Sequence, residues 1–179
     1  MIRTAALADA ARVAGIYHPY VADTPISFEV SPPAEAEMRE RMRVVLERLP
    51  WLVHELDGEV AGYAYAAPHR TREAYQWSVD VAVYVHQDFH RRGIGRELYL
   101  TLFAKLIRQG YVNAYAGITL PNEKSVGLHE SLGFTPVGVY RNVGYKQGAW
   151  LDVGWWHLQL QPLPSVPAPP LAPDTVVED

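Results

Sequence analysis

The sequence predicts a single-domain mixed α/β layer fold, and three features carry that prediction. Trp77, Val79, Val81, Val83 and Val85 alternate with Ser78, Asp80, Ala82 and Tyr84, the period of a strand. Ile94, Leu98, Leu102 and Leu106 recur every fourth residue just downstream, giving an amphipathic helix. The remaining strand and helix patterns follow in the order β-α-α-β-β-β-α-β-α-β-β. That order lacks the regular alternation of a doubly wound nucleotide-binding domain.

Taken in order, "MIRTAAL" reads as a first strand and "ADAARVAGIYHPYV" as a helix with Asp9 in its first turn, where the helix dipole favours a carboxylate. "ADTPISFEVSPP" is a turn-rich connection whose Phe28 fits either the core or a pocket wall. From Ala34 to Leu49, Met38, Met42, Val45 and Leu49 form one buried stripe on a charged surface helix. "WLVHELDGEVAGYAYAAP" is a hairpin, its two apolar runs joined by Asp57-Gly58, a pair suited to a tight turn. The helix of the leucines ends near Gly110, and "YVNAYAGIT" is the next strand. "PNEKSVGLHESLGF" is a short helix with Asn122 or Ser125 as its cap and Gly133 as its stop. "TPVGVYRNV" and "WLDVGWWHLQL" are two last strands around the turn "GYKQG". Residues 1–160 make the domain, and the proline-rich stretch 161–179 is expected to be a disordered or extended tail.

Composition narrows the chemistry. The chain has 179 residues, 49% hydrophobic and 20% charged, as a soluble globular protein has. A net charge of −4 speaks against nucleic acid, and a local basic loop on an acidic chain suits a small anionic ligand better. The absence of cysteine removes disulfides, thiolate ligands and a covalent cysteine intermediate, and it sits easily with the cytoplasm. No stretch reads as a secretory signal or a membrane span, so no membrane partner is expected.

The basic loop is "HRRGIGREL", between the alternating strand and the leucine helix. Glycines at a helix entrance let the backbone approach a ligand, with free N–H groups and the positive end of the dipole behind them. Arg91, Arg92 and Arg96 add charge suited to a diphosphate. A helix start with solvated arginines would look the same in isolation. The Walker pattern is absent because no Gly-Lys-Ser/Thr follows, and a dinucleotide fingerprint fails because Leu98 stands where its third glycine would be.

Strand, "HRRGIG", helix, strand and "PNEKSVGLHESLGF", in that order, resemble the GCN5-related N-acetyltransferase (GNAT) superfamily. "REAYQWSVDVAVYV", "LPNEKSVGLHESLGF" and "VGYKQGAWLDVGWW" resemble, more narrowly, its phosphinothricin acetyltransferase group. The resemblance covers about Ile2 to Leu160. It implies a mostly antiparallel mixed sheet flanked by helices, acetyl-CoA as cosubstrate, and usually a homodimer. It also implies that the backbone of Val83, Tyr84 and Val85 pairs with the pantetheine arm, as an added strand pairs with an exposed edge. Arg91, Arg92, Gly93, Ile94, Gly95 and Arg96 would hold the pyrophosphate, with Asn122 and Ser125 against the lower part of the coenzyme. One departure stands out: the first position of the turn, usually Gln or Arg in the family, is His90.

Acetyl transfer to an amine needs a neutral amine, a positioned thioester and, for the departing thiolate, a proton. Asp80 is the candidate base. It is the one carboxylate inside the apolar strand, on the face opposite the valines, where burial raises proton affinity. Pairing with a nearby arginine is the plainer reading of the same residue. The family tends to place Glu there, so the aspartate reaches less far by about 1.5 Å, and action through one water is the fitting form. His129 shares a helical face with Asn122 and Ser125 and stands where the phosphinothricin group has a histidine and many relatives a thiolate-protonating tyrosine. Read without the motif, it is a satisfied histidine beside the core. His86 and His90 are four apart but fall in a turn, and no third ligand is visible, so no metal is expected.

On the acceptor side, Arg72, Glu73 and Tyr75 match the group's acceptor region, with Arg72 against a carboxylate and Phe28 closing the other side. An exposed loop arginine is the plainer alternative. Lys146 and Trp150 fit either a pocket lining or a subunit contact. The group implies small acceptors: phosphinothricin, methionine sulfoximine or methionine sulfone. Rival readings are a polyamine or protein N-terminal acetyltransferase, and a coenzyme-A-binding module without turnover.

Overall fold

The computed structural model describes residues 1–173. Seven strands form one sheet in the order β1-β2-β3-β4-β5-β7-β6. They are β1 (Ile2–Thr4), β2 (Trp51–Leu56), β3 (Glu59–Pro68), β4 (Ser78–Val85), β5 (Asn113–Leu120), β6 (Thr135–Lys146) and β7 (Ala149–Gln159). Four helices flank it: α1 (Ala10–Ala22), α2 (Glu35–Leu46), α3 (Ile94–Gln109) and α4 (Glu123–Ser131). All neighbours are antiparallel except β4 and β5. This is the mixed, mostly antiparallel architecture that the sequence predicts.

The strand alternation sorts side chains onto two cores. On one face, Val79 and Val81 of β4 and Ala114, Ala116 and Ile118 of β5 pack with Leu98, Leu102 and Leu106 of α3. On the other, Val13, Ile16 and Val21 of α1 and Met38 and Met42 of α2 pack against Trp51, Val53 and Tyr63. Two hairpin turns place consecutive residues at positive φ: Asp57 and Gly58 (53° and 82°), and Gln147 and Gly148 (51° and 80°). That is the twist-matched two-residue hairpin geometry. The second turn lies later than "GYKQG" suggests, because Gly144 to Lys146 continue β6 and pair with Leu151 to Ala149.

Asp9 precedes α1 instead of sitting in its first turn. Its carboxylate bonds the Arg3 guanidinium at 2.7 and 2.9 Å and the Ala6 N–H at 2.8 Å, closing a short turn before the helix. After β7 the chain runs extended along the body. The Gln161 amide donates to Tyr111 O at 2.7 Å, and Leu171 N–H donates to Gln109 O at 2.7 Å. The rest of the expected tail, residues 174–179, lies outside the described residues.

Candidate active site

The one parallel contact of the sheet builds the site. β4 and β5 pair only from Ser78 to Asp80 against Asn113 to Tyr115, and beyond Asp80 the strands part. The gap is lined by Val81 to Tyr84, Ala116 to Thr119, Ile26, Tyr99, Asn122, Ser125 and His129. The pairing with β3 fixes which backbone groups face it. Because His86 N–H bonds Ala61 O and His69 N–H bonds Ser78 O, the even-numbered residues of β4 spend their peptide groups on β3. Val81, Val83 and Val85 therefore turn theirs toward the gap.

Two of the expected backbone contacts change on this register. Tyr84 directs its N–H and C=O to Tyr63 across β3, and its ring packs edge-on to Tyr17 and Tyr20. Tyr84 thus supplies core and not a free edge. The Val85 carbonyl is taken by the Tyr20 hydroxyl at 2.6 Å and by His90 Nε2 at 3.0 Å. Val83 keeps both its groups toward the gap. His90, the residue that departs from the family pattern, anchors the end of β4.

The basic turn follows directly. Arg91 (φ 62°) and Gly93 (φ 79°) both adopt the left-handed region, which glycine takes without strain. The first helical bond of α3 runs from Glu97 N–H to Gly93 O at 3.1 Å. The N–H groups before it, on Ile94, Gly95 and Arg96, open outward at the positive end of a 16-residue helix. Gly95 sits on β4 and α4, where a Cβ would lie 3.4 Å from Leu128 and 3.8 Å from Val83. Arg96 bonds Ser131 O at 3.3 Å, and Arg92 lies over the Phe89 ring at 5.3 Å. Asn122, and not Ser125, caps α4: its Oδ1 accepts from Ser125 N–H at 3.2 Å.

Asp80 stands at the apex of the gap, on the face away from the α3 core, a third exposed. Its partner is no arginine: Oδ1 lies 2.6 Å from His69 Nδ1. Burial raises the carboxyl's pKa, and the bond from His69 works against that rise. His129 is nearly buried. Its Nδ1 lies 2.7 Å from Ser125 O, an acceptor only, so Nδ1 carries the proton and Nε2 receives the Tyr99 hydroxyl at 3.0 Å. Burial lowers the pKa of His129, which keeps it neutral in this pairing.

The expected acceptor residues divide between two places. Arg72, Glu73 and Tyr75 line a cavity of about 700 Å³ together with Arg70, Ser78, Tyr111 and the segment Pro169 to Ala172. Phe28 is elsewhere, against Gly144 of β6. A smaller space of about 120 Å³, which shares Arg70 with that cavity, is lined by His69, Arg70, Tyr115, Val137, Gly138, Tyr140 and Trp155. Lys146 is spent on the backbone: its ammonium is buried and donates to Val21 O and Ser27 O, each at 2.7 Å. Trp150 is exposed and stacks edge-on to Tyr145.

The sequence reading passes over His69, Arg70, Tyr99 and Tyr115. Pairing the hairpin strand that ends in "AAPHR" with "WSVDVAVYV" would have set His69 beside Asp80, but register is not legible from either run alone. Among the described residues no group of three His, Asp or Glu side chains is arranged to hold a metal. No helix there is long and apolar enough to cross a membrane.

The acetyltransferase (GNAT) domain model matches residues 2–155 of this chain. A phosphinothricin N-acetyltransferase of Streptomyces viridochromogenes is 41% identical over 169 residues, covering 94% of this chain and 90% of that protein. An L-methionine sulfoximine/L-methionine sulfone acetyltransferase of Pseudomonas paraeruginosa is 34% identical over 171 residues, covering 93% and 98%. Among solved structures, a GNAT superfamily phosphinothricin acetyltransferase of Sinorhizobium meliloti in complex with AcCoA superposes with a TM-score of 0.91. It is 31% identical, over 98% of this chain and 97% of that one.

Proposed function

The chain belongs to the GNAT acetyltransferase family, and from that premise we propose how its site is used. It is an acetyl-CoA-dependent N-acetyltransferase, and its acceptor is a small amino acid analogue of the phosphinothricin, methionine sulfoximine or methionine sulfone type. The observation that carries this reading is the parted β4–β5 edge, continuous at one end with the basic turn before α3 and closed at the other by Asp80. Pantetheine lies along Val83, with the Val85 N–H beside it, and the pyrophosphate lies on the N–H groups of the turn between Arg91 and Arg96. Asn122 and Ser125 at the start of α4 flank the coenzyme.

The acetyl group then sits where the strands part. The amine nitrogen attacks the thioester carbon directly, the N–C bond forms and the C–S bond breaks, within a ternary complex. Asp80 supplies the base function, and His129 with Tyr99 borders the departing sulfur. Arg70 and Arg72, on the loop before β4, meet the acceptor carboxylate, while Phe28 and Tyr75 supply apolar walls.

The exposed apolar side chains of β6 and β7, among them Val139, Tyr140, Val143, Tyr145 and Trp150, support a homodimer through this edge of the sheet. The catalytic domain ends near Leu160, and residues 161–173 form an appendage to it. The cysteine-free composition fits a cytoplasmic enzyme.

Thiol release from acetyl-CoA, measured against the three amino acid analogues, spermidine and a peptide N-terminus, tests the reading. Turnover with the analogues at kcat/KM at least tenfold above the others is expected. Preference for the polyamine or peptide would overturn the acceptor assignment. Coenzyme binding with no release on any acceptor would make the chain a binding module.

A further inference from the structure

Asp80 is shorter than the glutamate that the resemblance to the family implies at this position, and in this chain its Oδ1 is occupied by a neighbour, His69 Nδ1, at 2.6 Å. We infer that the pair is a catalytic dyad in which His69 Nε2 takes the proton from the acceptor amine, while Asp80 holds the ring and balances its charge. The inference rests on the reading of Asp80 as the source of the base function and moves the reacting atom to the imidazole.

The geometry supports this in three ways. An ionised carboxylate only accepts, so the bond places a proton on Nδ1 and leaves the Nε2 lone pair open in the neutral ring. Among the described residues no hydrogen bond engages Nε2. The ring plane is fixed from several sides: it stacks on Tyr115 (4.4 Å between centroids, 19° between planes) and meets Tyr75 and Trp155 edge-on, each at 6.0 Å. His69 also lines the small space of about 120 Å³ that holds Arg70 and Tyr140. An amino acid whose carboxylate meets Arg70 would thus bring its amine to the same wall. A carboxylate, an imidazole held at Nδ1 and an open Nε2 form the arrangement by which an acid orients a histidine base.

The step balances as follows. An ammonium gives one proton to Nε2, leaving a neutral amine and an imidazolium paired with the Asp80 carboxylate. The amine lone pair forms the N–C bond, and the C–S bonding pair leaves with sulfur. The second amine proton passes to that thiolate, giving the amide and the free thiol, and His69 returns its proton to solvent.

The groups facing His69 that bear on its pH response are Asp80 from β4, Tyr115 from β5, Tyr75 and Arg70 from the loop, and Tyr140 from β6. His157 packs on Tyr115 at 4.9 Å.

The test compares His69→Asn and His69→Ala with the wild type. The asparagine amide can still donate to Asp80 but cannot take a proton. Both variants should lose about 10²–10⁴-fold in kcat at pH 7, with acetyl-CoA Kd within about twofold of wild type, which also reports an intact fold. The deficit should shrink as pH rises toward the acceptor amine's own pKa, and added imidazole should restore part of the His69→Ala rate. His69→Ala combined with Asp80→Asn should fall little below the worse single variant, since the two act as a unit. A His69→Asn enzyme with a third or more of wild-type kcat would show that His69 only positions Asp80, and would overturn the dyad while leaving the acetyltransferase reading intact. A wild type silent on every acceptor would overturn both.

Discussion

The ring of Phe28 packs against Gly144 so closely that any Cβ there would overlap Cε2, Cδ2 and Cζ. A glycine in the edge-most strand is thus the seat of an aromatic on a loop that comes from the other end of the chain. Gly144→Ala has to push the ring away. Because the ring is a proposed acceptor wall, the acceptor KM should rise about tenfold while the acetyl-CoA Kd stays put. Steady-state kinetics with each substrate varied checks this, and an unchanged acceptor KM would remove Phe28 from the pocket.

The same loop is tied down by a buried cation. Lys146 Nζ donates to Val21 O and Ser27 O at 2.7 Å, and Thr119 Oγ1 donates to Ile26 O at 3.1 Å. Lys146→Met keeps the aliphatic volume but strands two carbonyls. Hydrogen bonds to a charged group contribute roughly 1.5–3 kcal/mol, so the variant should melt several degrees lower and bind acceptor less tightly. Thermal unfolding beside acceptor KM measures both, and a wild-type Tm would show the tether to be idle.

How much of this was legible in the sequence follows from which residues interact locally. The period-two run from Trp77 to Val85 and the every-fourth leucines of α3 are local patterns, and their elements appear where the patterns put them. The basic turn was legible for the same reason: its strand, its glycines and its helix are consecutive. Asp80 stood out because a carboxylate breaks an apolar run. His69, Tyr99 and the Lys146 tether did not stand out, because each acquires its meaning from a partner 11, 30 or more than 100 residues away. Tyr84 shows the limit from the other side. Its neighbours on β4 face the gap, and only the register with β3 reveals that its own peptide groups do not.

The left-handed turn before α3 gives a prediction about the donor alone. Gly93 sits at φ 79°, where a side chain costs about 1–2 kcal/mol. Gly93→Ala should therefore loosen the cradle and raise the acetyl-CoA Kd by about tenfold, with little change in the acceptor KM at saturating donor. Calorimetric titration with acetyl-CoA gives the number, and wild-type affinity would argue that the turn does not hold the pyrophosphate.

His129 sets a pH limit on stability. Burial lowers its pKa in the folded protein, whereas the unfolded side chain titrates near 6.5. The unfolded chain therefore binds a proton that the fold refuses. Stability from this group is fully present above about pH 6.5 and is lost as pH falls toward the folded pKa. His157, also lowered by burial, acts in the same sense. Tm measured from pH 7.5 to 5 should decline, and His129→Asn should flatten that decline while lowering Tm at pH 7.5 through the lost Tyr99 partner. Parallel Tm curves for the two proteins would contradict the assignment.

The extended segment after β7 braces the acceptor loop. The Trp77 indole donates to Ala168 O at 2.7 Å, just before β4 begins. Gln109, at the end of α3, donates through one amide nitrogen to Arg48 O and Leu171 O, both at 2.9 Å, and receives Leu171 N–H on its own carbonyl. Pro169, Pro170 and Leu171 thereby line the same cavity as Arg72, Glu73 and Tyr75. Prolines suit a brace, since a chain already restricted in φ loses less entropy when it docks. Ending the chain after Gln161 keeps the amide bonds to Ile107 O and Tyr111 O but removes the rest. The truncated enzyme should show an acceptor KM about three- to tenfold higher, with kcat and acetyl-CoA Kd near wild type. Trp77→Phe, which deletes one of those bonds and keeps a ring, should move KM the same way by less. If neither change moves the acceptor KM, the segment braces the fold without touching specificity, and Arg72 does not owe its place to it.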